Sequence, residues 1–419
     1  MSTIADRDAA GPAITSRPAR IRIPLWAAVI ASRLIVLAAA ATAALFTQRV
    51  NGWELGGRDP YRLSSSLGSV GNVLAASVLR WDSVHYINIA QHGYTHPANT
   101  AFYPLYPLLI RVIGWVVRSY VLAGVLISVA SFAVALVLLH RLAKEELGAR
   151  VANSTVLLLA FAPLSFFFTA IYTESLFLAL SVGAFYLARR QRFAWACVTA
   201  AAAALTHVEG VLLVAPLAYM YWRDQGRPLV LRRFWSWPAT LLVLPPTAVA
   251  GFFVYLHSQG WGWLAPVVNA NFRYYGRTTL TTPVMLWQAT DAGITGLLQT
   301  LQGTKPITPS TEVLFSIGFQ NTVYLGVLVI SLTALVATWR RLPREYAIYA
   351  TLVIVVCTWR GVVGRPLVSY DRYMLVAFPL WMAAAAWLDK RRLTPTVLQI
   401  SSLMLVFYTV EFARWAFIA

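Results

Sequence analysis

The chain is poor in charged residues. Asp, Glu, Lys and Arg make up 12% of its 419 residues, whereas hydrophobic residues make up 58% and the mean hydropathy is +0.63. A soluble domain carries about a quarter charged residues. The deficit excludes a soluble enzyme with a polar coat, a disordered protein and a collagen-like fibre. What remains is an all-α, polytopic bundle of membrane helices.

Cysteine and acidic residues are also scarce. Cys197 and Cys357 both lie in apolar runs, so no disulfide framework is expected. Sixteen acidic residues face 34 basic ones, which gives a net charge of +18. Such an excess indicates nucleic-acid binding when it is clustered on a soluble module. Here the basic residues lie in short runs between apolar stretches, as in the positive-inside pattern, so the expected partner is the lipid bilayer and not nucleic acid.

The N-terminal region consists of a polar, basic tail (residues 1–22) and an apolar run from Ile23 to Phe46. A cleaved signal peptide is the alternative interpretation of this run. However, the apolar core of a signal peptide has about 7–15 residues, and this run has 24. We therefore expect a retained first membrane helix with the N-terminus inside, and a single membrane domain over residues 23–419.

Runs of about 20 apolar residues predict membrane helices. Eleven are expected in all, the other ten near residues 120–140, 151–169, 174–190, 193–207, 209–223, 236–257, 312–338, 345–362, 371–388 and 396–418. The run Phe102–Val117 is expected at the outer interface, because only that placement puts every basic loop inside. These loops are residues 141–150, 189–192, 223–233, 340–344 and 390–392.

This topology predicts two long outer loops, residues 47–119 and 258–311. Loops longer than about 15 residues are usually functional. Group transfer needs an acid or a base, and only nine carboxylates lie away from the inner face. They are Glu54, Asp59, Asp82, Glu174, Glu209, Asp291, Glu312, Asp371 and Glu411.

The densest polar cluster is Arg80–Tyr86, with the sequence RWDSVHY. If residues 71–92 form a helix, Asp82 and His85 lie on one face at i, i+3. A carboxylate beside an imidazole and an arginine is suited to act as an oriented general base. The alternative interpretation is an interfacial helix whose aromatic residues form a belt and whose charges are solvated.

Further polar residues lie in the expected outer segments, and most of them are candidates for substrate binding. They are Tyr103 in FYPLYP, Tyr172 and Glu174 in YTES, His207 and Glu209 in a tight turn, Arg360 and Arg365, and Asp371 and Arg372 in SYDRY. Glu174 also fits a helix-capping role, because a carboxylate stabilises a helix N-terminus. His207 and Glu209 either line a groove for the acceptor or are solvated. Arg33, inside the first span, is a functional candidate by default, or a structural one paired with a residue such as Glu411.

Four of these segments, in this order, resemble the PIG-V-type (GPI mannosyltransferase 2-like) family of membrane mannosyltransferases in the GT-C superfamily, in a bacterial, actinobacterial-looking branch. They are WDSVHY with Gly93-Tyr94, FYPLYP, YTES, and DRY with Phe378-Pro379-Leu380. The resemblance extends over residues 81–380. It implies a GT-C-type helical bundle, a polyprenyl-phosphate-mannose donor, a glycolipid or lipid-linked glycan acceptor on the outer face, and an essential Trp81-Asp82 pair.

The expected chemistry is an inverting transfer at the outside of a bacterial plasma membrane. Asp82 is the expected general base, His85 its orienting neighbour, Arg80 the cation that keeps it ionised, and Glu174 the second carboxylate. Arg372, helped by Arg365 or Arg360, is expected to bind the donor phosphate, since an arginine fork suits phosphate. No metal or cofactor is expected, because the one Asp-x-Asp pair, Asp6 and Asp8, lies in the inner tail. The alternatives are a transporter or flippase of a lipid-linked sugar, and a membrane acyl- or phospho-transferase.

Overall fold

A computed structural model gives the fold of the chain. It describes residues 25–46, 71, 73, 78–226, 237–269, 277–279, 282–302, 316–362, 364–416 and 418. The expected inner tail and much of the first outer loop, including Glu54 and Asp59, lie outside the described residues. The α-helices are α1 (Leu25–Phe46), α2 (Asp82–His92), α3 (Leu105–Val117), α4 (Tyr120–Leu147), α5 (Ala149–Ala160), α6 (Glu174–Arg189), α7 (Phe193–Ala204), α8 (Val214–Asp224), α9 (Trp237–Thr240), α10 (Leu244–Ser258), α11 (Ala265–Val268), α12 (Thr282–Leu301), α13 (Ile317–Arg341), α14 (Arg344–Cys357), α15 (Tyr370–Met374), α16 (Phe378–Lys390) and α17 (Thr394–Ala413).

Five helices in the described part of the chain are long and apolar enough to cross a membrane. They are Trp26–Phe46, Tyr120–Leu147, Trp237–Ser258, Ile317–Arg341 and Thr394–Ala413. Each has at least 20 residues, and about 20 helical residues span the hydrocarbon core of a bilayer. The all-α, multi-pass membrane architecture is thereby confirmed. The number of eleven spans stays a prediction, because the other described helices are shorter or, like α12 with its 20 residues, not apolar enough to be counted.

The basic loops meet at one end of the bundle. Arg189, at the end of α6, lies 2.7 Å from a carboxylate oxygen of Glu146 in the last turn of α4. Arg223 of α8 pairs with Glu345 at the start of α14, at 2.5 Å. Arg150 lies 3.8 Å from Asp389 near the end of α16, which adds the last loop. These contacts bring together the charges that the positive-inside pattern places on one side.

The polar motifs lie at the other end. Helix α6 runs from Glu174 to Arg189, so its 16 residues separate the two ends by about 22 Å at 1.5 Å per residue. Helix α14 likewise has Glu345 in its first turn at the basic end and finishes at Cys357. Cys357 lines a pocket together with Glu174 and His207. The candidate site is therefore at the end of the bundle away from the basic loops.

An irregular segment between α5 and α6 departs from the expected span over residues 151–169. The helix ends at Ala160, three residues before Pro163, and the chain continues through a 3-10 turn at Ser165–Phe168. Pro163 has no N–H to donate and its ring is incompatible with a helix interior. Phe166, Phe167 and Phe168 are all buried, so the segment packs into the core although it is not an α-helix.

Arg33 of α1 holds this irregular segment. Its Nη1 donates to the Ser165 carbonyl (2.6 Å) and to the Thr169 hydroxyl (2.9 Å), and its Nη2 donates to the Ala160 carbonyl (3.1 Å). Glu411, the partner proposed from the sequence, instead pairs with Arg414 at 2.8 Å. Arg33 thus satisfies carbonyl groups that the interrupted helix leaves without partners.

The expected outer loop 258–311 contains regular structure. Helix α12 packs against α13 so closely that Gly296 and Gly318 face each other, and a Cβ on Gly296 would lie 2.0 Å from the Gly318 carbonyl oxygen. Strand β1 (Arg277–Thr279) pairs antiparallel with β2 (Arg360–Val362), with Thr278 opposite Gly361. This pairing connects the long loop to the segment that leads into α15.

Candidate active site

Asp82 is the first residue of α2. The sequence predicted one helix over residues 71–92, but the chain turns and bends at Val78–Trp81, and α2 begins only after it. Trp81 adopts φ 54° and ψ −120°, which is unfavourable for a residue with a Cβ. Asp82 therefore lies at the helix N-terminus, where the dipole favours a carboxylate. Its side chain is 27% exposed, so it can be reached from outside.

Tyr172 fixes this helix start. Its hydroxyl donates to the Arg80 carbonyl and accepts from the Asp82 backbone N–H, both at 3.2 Å. The residue was predicted to bind substrate. In the structure its buried hydroxyl bridges the two peptide groups that flank Trp81, so it stabilises the unusual conformation there.

Arg372, 290 residues away in the chain, connects the two predicted catalytic carboxylates. Its Nη1 donates to Asp82 Oδ2 at 3.1 Å, and its Nε lies 3.2 Å from Glu174 Oε1 in an ion pair. The guanidinium also lies over the rings of Phe167, Tyr172 and Tyr373, with centroid distances of 5.3–5.6 Å. Cation–π attraction and two carboxylates together hold the group in one orientation.

Glu174 differs from Asp82 in exposure and in the use of its oxygens. Its side chain is only 6% exposed, and it begins α6, as the capping interpretation requires. One oxygen faces Arg372, and the other is buried without a hydrogen-bond partner. An unsatisfied buried acceptor is costly. This oxygen is therefore available to accept a hydrogen bond from a bound ligand.

Arg80 does not occupy the position expected for it. Its Nε donates to the Ala413 carbonyl (3.1 Å), and its guanidinium lies over the Trp415 ring, 4.6 Å from the centroid. The cation paired with Asp82 is Arg372 instead. Trp81 also turns toward the C-terminal segment, where its Nε1 donates to the Ala416 carbonyl at 3.2 Å.

His85 belongs to a chain of polar side chains along α2. Its Nδ1 bonds to Asn99 Oδ1 (2.9 Å), Asn99 donates to Asn88 (2.8 Å), and Asn88 bonds to His92 (3.2 Å). Burial lowers the pKa of His85, which favours the neutral imidazole at pH 7. The predicted i, i+3 relation to Asp82 holds, and the bond to Asn99 fixes the ring.

A pocket continues from Glu174 along the start of α6. Its polar lining is Thr173, Glu174, His207 and Glu209, with Tyr373 beside them. His207 Nδ1 contacts Glu209 Oε2, and its ring packs between Phe177 and Tyr373. Glu209 is buried, so its side chain is not the solvated turn residue of the alternative interpretation; the role of the turn in binding an acceptor stays a prediction.

Three other predicted site residues, Asp371, Arg365 and Tyr103, make contacts of their own. Asp371 adjoins it, and its Oδ1 accepts from the Arg372 backbone N–H at 2.8 Å. Arg365 lies in the turn after β2, where its main chain bonds to Val362. The Tyr103 ring packs on Phe252 with a 5.4 Å centroid distance, and Tyr94 packs on the same ring.

Three residues that contribute to the site escaped prediction. Phe167 and Tyr373 pack on Arg372, and Trp415 packs on Arg80 and Trp81. Only Tyr373 carried a signal, because it completes the DRY motif. Phe167 and Trp415 resembled ordinary core and interfacial aromatics.

Comparison with known proteins supports the sequence resemblance. Residues 29–222 match the family model described as Mannosyltransferase (PIG-V). The resemblance to the PIG-V family is confirmed. The matched region includes Asp82, Tyr103 and Glu174 of the PIG-V-type motifs, whereas Arg372 lies beyond it.

Curated relatives match over parts of their length. GPI alpha-1,6-mannosyltransferase 2 of Cricetulus griseus is 35% identical over 150 residues, which cover 33% of this chain and 30% of the relative. GPI mannosyltransferase 2 of Yarrowia lipolytica is 25% identical over 218 residues, covering 51% of this chain and 58% of the relative. The chain thus spans about a third to somewhat over half of the length of these relatives.

Two solved structures are similar over most of the chain. ArnT from Cupriavidus metallidurans, bound to undecaprenyl phosphate, has a TM-score of 0.40 and 14% identity, covering 92% of this chain and 76% of that one. The oligosaccharyltransferase of Archaeoglobus fulgidus has a TM-score of 0.40 and 13% identity, covering 92% and 55%.

Proposed function

We propose that the protein is an inverting glycosyltransferase that moves a mannosyl residue from polyprenyl-phosphate-mannose to a glycolipid or lipid-linked glycan on the outer face of a bacterial plasma membrane. The observation that carries the proposal is the Arg372 bridge. It joins an accessible carboxylate to a buried one beside a pocket, at the end of the bundle away from the basic loops. The matched PIG-V-type region, with its Trp81-Asp82 pair, supports the choice of mannose.

In this proposal Asp82 is the general base. The acceptor hydroxyl gives its proton to the Asp82 carboxylate while its oxygen bonds to the anomeric carbon. The bond from that carbon to the phosphate oxygen breaks, and polyprenyl phosphate leaves from the opposite face with the electron pair. Phosphate leaves as an anion, so one carboxylate is sufficient. Arg372 orients the Asp82 carboxylate through its 3.1 Å contact with Oδ2.

Asp82 suits the role of base better than Glu174 because its carboxylate is 27% exposed, against 6% for Glu174. A base must come within hydrogen-bond reach of the proton that it takes. Glu174 is placed to orient the acceptor instead. Its second carboxylate oxygen, which has no hydrogen-bond partner, accepts a hydrogen bond from another hydroxyl of the acceptor substrate. His207 and Glu209 supply further polar atoms in the same pocket.

The phosphate of the donor requires a cation on the face opposite to the base. Arg372 already pairs with Asp82 and Glu174. A phosphate could therefore bind two nitrogens of its guanidinium only by displacing one of these carboxylates. Arg365, in the turn between β2 and α15, is therefore the first candidate for the phosphate contact, and Arg372 the second. Both stay within the predicted set.

A transfer assay tests the function. Purified protein in proteoliposomes receives radiolabelled polyprenyl-phosphate-mannose together with a lipid extract that contains candidate acceptors. Label covalently attached to an acceptor lipid, and absent with Asp82→Asn, supports the proposal. Movement of intact donor between leaflets without transfer would support a flippase, and release of label to water alone would support a hydrolase.

A further inference from the structure

The last residue of α17 and the segment after it contact the residues immediately before Asp82. The Ala413 carbonyl accepts from Arg80 Nε (3.1 Å), and the Ala416 carbonyl accepts from Trp81 Nε1 (3.2 Å). Trp415 lies between them, 4.6 Å from the Arg80 guanidinium and 6.2 Å from the Trp81 ring in an edge-on arrangement. We call residues 413–416 the C-terminal clasp. The clasp contacts the side chains of Arg80 and Trp81, the two residues that precede Asp82.

These contacts act on a backbone conformation that needs support. Trp81 has φ 54° and ψ −120°, outside the regions that L-residues with a Cβ favour. Conformations of this kind persist only where the surroundings fix them. Tyr172 fixes the peptide groups from the α6 side, and the clasp fixes the two side chains from the other. The direction in which α2 leaves Trp81, and hence the position of the Asp82 carboxylate, depends on both.

The clasp is itself ordered by the fold. Trp415 is 1% exposed and Arg80 5%, and Trp415 also has a positive φ of 71°. Glu411, one turn earlier, pairs with Arg414 at 2.8 Å. A buried indole on a buried guanidinium is a strong form of the cation–π contact. Such a contact tolerates little displacement.

We propose that Trp415 and Arg80 are positioning residues, which hold Asp82 at the distance from Arg372 and the acceptor that catalysis requires. The inference rests on the proposed role of Asp82 as base. It gives a catalytic use to a segment more than 320 residues away in the chain, and to an arginine that the sequence had placed on the carboxylate itself. Misplacing a catalytic group by about 1 Å can cost a factor of about 10² in rate.

The experiment measures kcat and donor KM for Trp415→Ala, Trp415→Phe and Arg80→Ala in the proteoliposome assay. We expect Trp415→Ala and Arg80→Ala to lower kcat about 10- to 100-fold, with donor KM changed less than threefold. Trp415→Phe keeps a ring over Arg80 and should recover most of kcat. The control is the Trp387–Arg391 pair at the basic end, where the guanidinium also lies over the ring, 4.7 Å from its centroid. Trp387→Ala should leave kcat unchanged.

A double-mutant cycle separates positioning from general damage. If Trp415 acts through Asp82, adding Trp415→Ala to Asp82→Asn should lower the residual rate no further. A full additive loss, or a kcat of Trp415→Ala within twofold of wild type, overturns the inference. If Asp82→Asn itself is fully active, the proposed function fails instead. Should Trp415→Ala not fold, the same criteria apply to Trp415→Leu and to Arg80→Lys.

Discussion

The carboxylates at the two ends of the bundle differ in how they pair with arginines. At the basic end, five carboxylates form ion pairs with four arginines. These carboxylates are Glu145, Glu146, Asp224, Glu345 and Asp389. At the other end, Asp82 and Glu174 share Arg372, and Glu209 pairs with His207. Matched charges are what stabilises a fold. An excess of negative charge around one cation, next to a pocket, is instead typical of a functional site.

The largest effect should come from Asp82. Asp82→Asn keeps the shape of the side chain but removes the proposed base, and losing a positioned base costs about 10²–10⁴ in rate. We expect kcat to fall by that factor while the protein still binds donor. Asp224→Asn is the control at the basic end, because its carboxylate is equally accessible (25% against 27% exposed) and also pairs with an arginine. Near-equal losses in both variants would remove the distinction between the two ends.

Arg372 should show the next largest effect. A lysine cannot contact two carboxylates in the plane of a fork, so Arg372→Lys should lower kcat about 10- to 100-fold by misplacing Asp82. Measuring kcat and donor KM separately distinguishes the two roles considered for Arg372. A fall in kcat alone indicates a role on the base side, whereas a raised donor KM indicates phosphate binding. Arg150→Ala removes an exposed arginine at the basic end and should change neither constant.

The sequence identified the residues of this site better than their partners. Asp82, Glu174 and Arg372 came from short motifs, because polar residues are rare enough in such a chain to be noticed. The bridge between them spans 290 residues, and no periodicity relates positions so far apart. Arg80 was assigned to Asp82 since it is two residues away, but the bend at Val78–Trp81 turns it toward Ala413.

Helix bounds show the same limit. Apolar runs located the long helices, including α4 and α13, because hydrophobic length is a property of the sequence alone. The run 151–169 stops at Ala160, where Pro163 and the Arg33 contacts favour an irregular, buried path. Helix α12 was missed inside a presumed loop because Gln288, Thr290 and Asp291 interrupt its apolar pattern.

At the basic end we expect an effect on stability and not on catalysis. Glu345 is fully buried between Arg223 and Arg189. Glu345→Gln keeps the volume but removes the charge, and should lower the free energy of unfolding by about 1–3 kcal/mol. Thermal unfolding in detergent measures this, with kcat at low temperature as the companion reading. A variant with normal stability and strongly reduced kcat would show that the two ends are coupled.

The smallest perturbation tests which end faces which side. Helix α3 has 13 residues, about 20 Å at 1.5 Å per residue, whereas the hydrocarbon core of a bilayer is about 30 Å thick. It should therefore lie at the interface, and the residues before and after it should be on the same side. Single cysteines at three exposed positions report this without disturbing the site: Thr95→Cys before α3, Arg118→Cys after it, and Lys144→Cys at the end of α4.

The labelling is done with a membrane-impermeant thiol reagent on intact cells, in a background where Cys197 and Cys357 are replaced by alanine. Both native cysteines are buried, but Cys357 lines the pocket and would confuse the result. We expect Thr95→Cys and Arg118→Cys to react from outside, and Lys144→Cys only after the membrane is permeabilised. Reaction of Thr95→Cys and Arg118→Cys from opposite sides would show that α3 crosses the bilayer. Labelling of Lys144→Cys from outside alone would show that the bundle has the opposite orientation in the membrane. The Arg372 bridge and its pocket would then lie on the inner face.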